Sequence, residues 1–151
     1  MTDILEISPV AESDIDAWEF EADVVVAGYG IAGVAAAIEA AEAGADVLVL
    51  ERTSGWGGAA ALAGGFIYLG GGTPLQRALG FEDTPENMAR FLNAALGPGV
   101  DGAKIKDYCD GSVAHYEWLV ERGVPFREAF WGEPGWEPPH DEGLMYSGGE
   151  N

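Results

Sequence analysis

"VVVAGYGIAGVAAA", Val24–Ala37, is the stretch whose reading decides the fold of this 151-residue chain. Just ahead of its glycines, Asp23–Ala27 ("DVVVA") is a β-branched run of the kind that forms a parallel strand buried on both faces. Gly28, Gly30 and Gly33 follow with G-x-G-x-x-G spacing. Ala32–Ala43 is alanine-rich and helix-forming, and Gly44 is suited to end it. "ADVLVLE", Ala45–Glu51, reads as a second buried strand. Strand, tight turn, helix, short turn and strand make a βαβ unit with a right-handed crossover. The expected fold class is therefore α/β, a Rossmann-like dinucleotide-binding βαβ unit with further helices after it.

Each glycine of the triplet has a physical task. The first permits the tight turn, the second lets a pyrophosphate approach the backbone, and the third lets helix and strand pack closely. The amides opening the next helix carry the positive end of its dipole, which suits an anion. Glu51 closes the second strand near the offset expected of an acid that bonds ribose hydroxyls. A glycine triplet alone is weak evidence, and a ligand-free glycine turn in another α/β fold would also show one. Here strand, triplet, helix, strand and terminal acid occur in order, which makes the signal strong.

The placement of charge agrees. Acids outnumber bases 26 to 7, for a formal charge of -19. Yet none lies between Asp23 and Glu39, and none between Glu51 and Glu82. By simple proportion the second gap should hold about five acids; it holds Arg52 and Arg77 instead. Keeping like charge away from a pyrophosphate would leave such gaps, and buried Gly/Ala backbone would contribute to them.

Bulk properties narrow the function classes. The acidic surface disfavours nucleic acid and anionic membranes as partners. The lone cysteine, Cys109, permits no internal disulfide, so an oxidising compartment has no support. The first 22 residues form an acidic lead-in without the basic and apolar regions of a secretory signal. Val24–Ile38 is too short and too glycine-broken to span a bilayer. A cytoplasmic location is the default expectation.

Beyond the βαβ unit, Thr53–Gly72 carries glycines at 55, 57, 58, 64, 65, 70, 71 and 72. It is too apolar for a flexible linker and reads as backbone packed closely against something. A helix is expected over about 85–96, capped by Thr84 with Pro85 at its first position. Another is expected over about 102–122. Its Ile105, Tyr108, Cys109, Val113, Tyr116, Leu119 and Val120 recur at three and four, as one buried stripe. Residues 126–151 show no periodicity and read as an aromatic loop. The chain ends on no cap, strand or tail signal and reads as the N-terminal part of something larger.

The second glycine cluster decides between dinucleotides. A nicotinamide enzyme would share Gly28, Gly30, Gly33 and Glu51, but "ERTSGWGGAAALAGG" adds close backbone that an extended flavin cofactor needs. At these residues the chain resembles the flavoprotein family of fumarate reductases, succinate dehydrogenases and 3-ketosteroid dehydrogenases. That family continues past its dinucleotide unit as E-[KR]-x(n)-G-G-x-[ST]-x-x-[AS]-G-G. Here the pattern stands as Glu51-Arg52, Gly57-Gly58 and Ala63-Gly64-Gly65. "FIYLGGGTPLQRALGFEDTPENMARFL", "AHYEWLVERGVPF" and "EPGWEPPHDEGLMYSGGEN" are most similar to the Δ4-(5α) 3-ketosteroid dehydrogenase branch.

The resemblance implies FAD as cofactor. Gly28, Gly30, Ile31, Ala32 and Gly33 would meet its pyrophosphate, Glu51 the adenosine ribose, and Arg52 the adenine side. Gly57, Gly58, Ala59, Ala60, Gly64 and Gly65 would lie along diphosphate, ribityl and flavin ring. Ala59 and Ala60 stand where relatives often have Thr or Ser, so a hydroxyl contact is lost. Members with covalent flavin carry a histidine in this segment, and this chain has none before His115, which implies non-covalent FAD. The implied reaction is dehydrogenation of a C–C bond next to a carbonyl, with a 3-ketosteroid as substrate. Reduction of an unsaturated acid, or a non-catalytic FAD/ADP-binding module, are the alternatives.

Catalytic residues are not identified. His115 reads as a partly exposed helix residue, and His140 as a loop residue. No histidine–cysteine cluster has metal-ligand spacing, and no G-x-S-x-G occurs. Cys109 reads as a small core residue. Trp118, Phe126, Phe130, Trp131, Trp136 and Tyr146 suit either an apolar cleft or ordinary packing. The groups that would take a substrate proton belong, by the resemblance, to parts of the larger protein outside these residues. The chain by itself is expected not to turn over substrate.

Overall fold

The computed structural model describes residues 8–133 and 141–145. The chain divides into two units between Phe66 and Ile67. In the first, β1 (Val24–Ala27) leads through the glycine turn to α1 (Ile31–Glu42) and on to β2 (Val47–Leu50). The strands pair in parallel, with Val24 opposite Val47 and Ala27 opposite Leu50. Helix α1 packs on both strands, and Gly44, at a φ of +90°, turns the chain out of it.

Both strands lack polar side chains because a parallel pair is ordinarily covered on both faces. Here one face is only partly covered. Val26 lies against α1 beside Gly33, whereas Val25 is 56% exposed and Leu50 50%. The expectation of two fully buried strands is therefore not met: the side chains on the α1 side are half-buried, and Val25, Ala27 and Leu50 on the other side are exposed. Trp18 and Phe20, in the acidic lead-in, are exposed as well.

In the second unit, α2 (Pro74–Ala78), α3 (Pro85–Leu96) and α4 (Gly102–Glu121) precede the strands β3 (Arg127–Trp131) and β4 (Glu142–Met145). Helix α3 begins where the Thr84-Pro85 pair directs: the Thr84 hydroxyl accepts from the Asn87 amide. Asp101 caps α4 by accepting from the amides of Ala103 and Lys104. The two helices enclose Met88, Ile105 and Cys109, with Ala89, Leu92 and Val100 around them.

The buried stripe of α4 differs from the sequence expectation. Tyr108 and Val120 are exposed, while Ser112 is buried. The Tyr108 hydroxyl donates to the Tyr68 carbonyl, which draws this ring to the margin. The Ser112 hydroxyl accepts from the Gly70 amide at 3.0 Å, so its polarity is satisfied inside.

Two features have no counterpart in the sequence reading. The first is α2, whose Thr73 and Gln76 form a reciprocal capping box. The second is the parallel pair β3–β4, within residues expected to form an irregular aromatic loop. It aligns Arg127 with Glu142 and Trp131 with Met145, with an irregularity between Arg127 and Phe130. Its aromatics pack locally: Phe81 meets Phe130 edge-on at 4.8 Å, and Tyr116 meets Phe126 at 4.9 Å. Arg122 lies 4.0 Å above the Trp118 ring. Trp136, His140 and Tyr146 fall outside the described residues. No helix is long and apolar enough to cross a membrane among the described residues.

Candidate dinucleotide site

The site is built where β1 meets α1. The Gly28 amide donates to the Leu50 carbonyl at 2.7 Å, extending the strand pairing by one residue before the chain turns. Gly28 then adopts a φ of +104°, which an L side chain rarely tolerates. A Cβ on Gly33 would stand 2.0 Å from the Gly28 carbonyl oxygen and 3.2 Å from Val26 Cγ1. The third glycine is therefore required by close packing of helix on strand. Gly30 occupies the N-cap of α1 and offers no side-chain acceptor to the helix's first amides. Those amides, on Ile31, Ala32 and Gly33, lack intrahelical partners by helix geometry and carry the positive dipole end.

The segment after β2 folds back against this turn. The Gly57 amide donates to the Tyr29 carbonyl at 2.8 Å, and Gly30 and Gly57 form an isolated parallel bridge. A Cβ on Gly58 would lie 3.3 Å from Gly30 Cα, so two backbones touch where side chains would hold them apart. Gly58–Leu62 continues as a short 3-10 turn carrying Ala59 and Ala60.

Glu51, immediately beyond β2, ties these pieces together. Its Oε2 accepts from the Tyr29 amide at 2.9 Å. Its Oε1 accepts from the Thr53 amide at 2.8 Å and the Thr53 hydroxyl at 2.9 Å. The Thr53 amide, then the Tyr29 amide and the Thr53 hydroxyl, hold its carboxyl down at about 2, against an ordinary value of 4.5. Hydrogen bonds to a charged carboxylate favour that charged form. The anion is fixed at the same turn as the open amides of α1.

The geometry thus assembles Gly28, Gly30, Ile31, Ala32, Gly33, Glu51, Gly57 and Gly58 in one place. The close backbone contact made by Gly58 is not repeated at Gly64 or Gly65. A Cβ at Gly64 would meet only the Phe66 ring, and one at Gly65 would meet nothing. Arg52 is exposed. The sequence reading missed Tyr29 and Thr53. Tyr29 acts through its backbone, which no residue-type pattern records; Thr53 carried a signal, a hydroxyl two residues beyond the candidate acid.

Other candidates stay outside the site's chemistry. His115 is exposed on α4, and burial raises the Cys109 thiol pKa. A thiol so placed is a packing residue, not a nucleophile. Among the described residues no group of three or more His, Cys, Asp or Glu could hold a metal ion.

The FAD binding domain family matches residues 23–144. The chain belongs to this family. It is 37% identical over 145 residues to the 3-oxo-5-alpha-steroid 4-dehydrogenase of Comamonas testosteroni, covering 96% of this chain and 27% of that protein. It is 38% identical over 120 residues to the digoxin reductase of Eggerthella lenta, covering 78% of this chain and 21% of that one. Among solved structures it resembles the 3-ketosteroid-delta4-(5alpha)-dehydrogenase of Rhodococcus jostii RHA1 in complex with 4-androstene-3,17-dione. The TM-score is 0.88 at 76% identity, over 95% of this chain and 30% of that one. The chain therefore matches 27% and 21% of the length of these two curated relatives. FAD, the cofactor expected from the two glycine clusters, is the cofactor of the family to which the chain belongs.

The residues present fit that cofactor. The space beside Gly28 is empty to 4 Å where a Cβ would stand, and the nearest atom to one on Gly30 is the Gly57 carbonyl oxygen at 4.0 Å. Bare backbone with open space beside it lies at the positive end of a helix, an environment that suits a pyrophosphate.

Proposed function

We propose that this chain is the cofactor-holding N-terminal part of a larger, two-domain FAD-dependent oxidoreductase acting on a 3-ketosteroid. Residues 1–22 form an acidic lead-in, and 23–151 belong to a Rossmann-like FAD-binding domain. The observation that carries this reading is the Glu51 carboxylate bonded to the Tyr29 amide beside the uncapped start of α1. It sets an acceptor for hydroxyls next to donors for phosphate oxygens, the order in which an adenosine diphosphate presents them.

In this reading Gly28, Gly30, Ile31, Ala32 and Gly33 hold the pyrophosphate of non-covalent FAD. Glu51 accepts from the ribose, and Arg52 borders the adenine. Gly57, Gly58, Ala59, Ala60, Gly64 and Gly65 follow the diphosphate, ribityl and ring edge through backbone contacts. Bound flavin supplies a hydride acceptor; the residues of this chain bind and orient it and exclude bulk from its path. The proton taken from the substrate goes to groups beyond these residues. The steroid dehydrogenase relatives support oxidation of a saturated C–C bond next to a 3-keto group. The reductase relative favours, as second reading, the reverse transfer onto an unsaturated bond. The absence of any cysteine pair supports a cytoplasmic setting.

The test is anaerobic mixing of the FAD-loaded, full-length polypeptide with a saturated 3-ketosteroid. Bleaching of the flavin absorbance is expected. An unbleached spectrum, with reoxidation of dithionite-reduced flavin by an unsaturated acid, would replace the first reading with the second. The 151-residue chain alone should give no steroid-dependent dye reduction.

A further inference from the structure

A half-buried glutamate at the end of a strand keeps its rotamers unless something holds it, and fixing such a side chain costs conformational entropy. Glu51 is held by three donors, and two of them come from one residue. The Thr53 amide and hydroxyl both donate to Oε1, at 2.8 and 2.9 Å, while the Tyr29 amide donates to Oε2 at 2.9 Å. A carboxylate has about four acceptor directions. Two of these donors occupy Oε1 and one occupies Oε2, so Oε2, the oxygen that already touches the glycine turn, is the less saturated of the two.

The Thr53 hydroxyl also lies 2.7 Å from the Gly55 carbonyl, and it has one hydrogen to give. Donation to the carboxylate is charge-assisted and the stronger of the two. Either choice leaves a lone pair facing the other oxygen, at 2.9 Å from Oε1 or 2.7 Å from the Gly55 carbonyl, and the repulsion is worse against the full charge of the carboxylate. The hydroxyl therefore belongs to Glu51. We infer that Thr53 is a positioning residue for the adenosine ribose: it pins the Oε1 edge of Glu51 so that Oε2 is presented to a ribose hydroxyl. The inference rests on the FAD reading above and assigns a role to a side chain that itself touches no cofactor atom.

The test uses the full-length flavoprotein, stripped of FAD and titrated by flavin fluorescence. The two probes are FAD and an analogue lacking both adenosine ribose hydroxyls. Thr53→Val keeps the shape and the amide and removes the hydroxyl. It should weaken FAD roughly tenfold, the worth of one hydrogen bond to a charged group. It should leave the dideoxy analogue within about twofold of the unsubstituted protein, since no ribose hydroxyl remains to be misplaced. Thr53→Ser should restore FAD binding. Equal weakening of both probes by Thr53→Val would reduce Thr53 to a loop-shaping residue, and unchanged FAD binding would give it no role; either overturns the inference. Glu51→Gln separates the two levels. If it discriminates between the probes while Thr53→Val does not, Thr53 alone is misassigned. If it fails to discriminate, the ribose role of Glu51 falls and the inference falls with it.

Discussion

The chain uses glycine clusters in two opposite ways. Around the start of α1, Gly28, Gly30, Gly57 and Gly58 leave backbone bare, and the first amides of the helix have no capping side chain. At Gly70–Gly72 the backbone is equally bare but fully employed. The Gly70 amide donates to Ser112, the Gly71 amide to Asp83 at 2.7 Å, and the Gly72 amide to Gln76 at 3.0 Å. All three of these glycines are buried. Buried amides must find partners, so where they go tells the two clusters apart. One is closed by the protein's own side chains; the other is partly exposed and, in the proposed reading, is left for the cofactor to close. Asp83 lies just past the end of the long acid-free stretch: the second cluster takes a carboxylate as partner where the first excludes free acids.

The sharpest way to break this comparison is at Gly33. A Cβ there would meet the Gly28 carbonyl oxygen at 2.0 Å, and a backbone atom cannot swing aside. Gly33→Ala should cost about 3 kcal/mol and abolish FAD retention together. Thermal unfolding and flavin absorbance after desalting report the two losses. Retained FAD with an unchanged melting temperature would mean that helix and turn are not locked at this point.

Next in size is the closed cluster. Ser112→Ala removes the acceptor of a buried amide, at a cost of about 2 kcal/mol. Urea unfolding should show that loss while FAD affinity stays within error. A fall in FAD affinity as large as the fall in stability would merge the two clusters into one functional unit.

The contrast also marks what the sequence could reveal. The β1–α1–β2 unit was legible because its signals are local: a β-branched run, glycines at fixed spacing, an acid at the strand end. Thr84 and Pro85 announced α3 in the same way. The division of Thr53–Gly72 was not legible, because glycine spacing says nothing about which amides find protein partners. Ser112 was hidden inside α4 because its burial depends on Gly70, 42 residues away. The β3–β4 pair was hidden because "REAFW" and "EGLM" are short and their pairing is non-local. In the site, the glycine triplet and Glu51 could be read from residue types, but the bond from the Tyr29 amide could not.

A pH prediction sharpens the electrostatic side of the open cluster. Glu51 is held at about 2, below its ordinary 4.5. For an acid whose folded pKa is depressed, the stabilisation is complete above the unfolded value and lost as pH falls through the folded one. The Glu51 ties to Tyr29 and Thr53 should thus be intact from neutral pH down to about pH 5 and weaken progressively from there toward 2. Hydrogen exchange of the Tyr29 amide, followed against pH and corrected for intrinsic rates, should lose protection across that window. Glu51→Gln should flatten the profile. Protection lost already near neutral pH would show that the carboxylate is not what holds this amide.

The smallest expected effect tests whether the open cluster is finished. Ala59 and Ala60 sit on the 3-10 turn that follows the Gly57–Gly58 contact, where the resembled family often carries hydroxyls. Both are exposed, so a hydroxyl added there breaks no packing and satisfies no protein group. Any gain must come from a ligand. Ala60→Ser should leave the unfolding free energy unchanged and tighten FAD by about fivefold, the worth of one neutral hydrogen bond. The same substitution at a buried position of the closed cluster could only disturb existing bonds. A change in stability without a change in FAD affinity would place Ala60 with the closed cluster. Tighter FAD at constant stability would place the 3-10 turn along the cofactor's path, on the evidence of a side chain that the protein itself does not need.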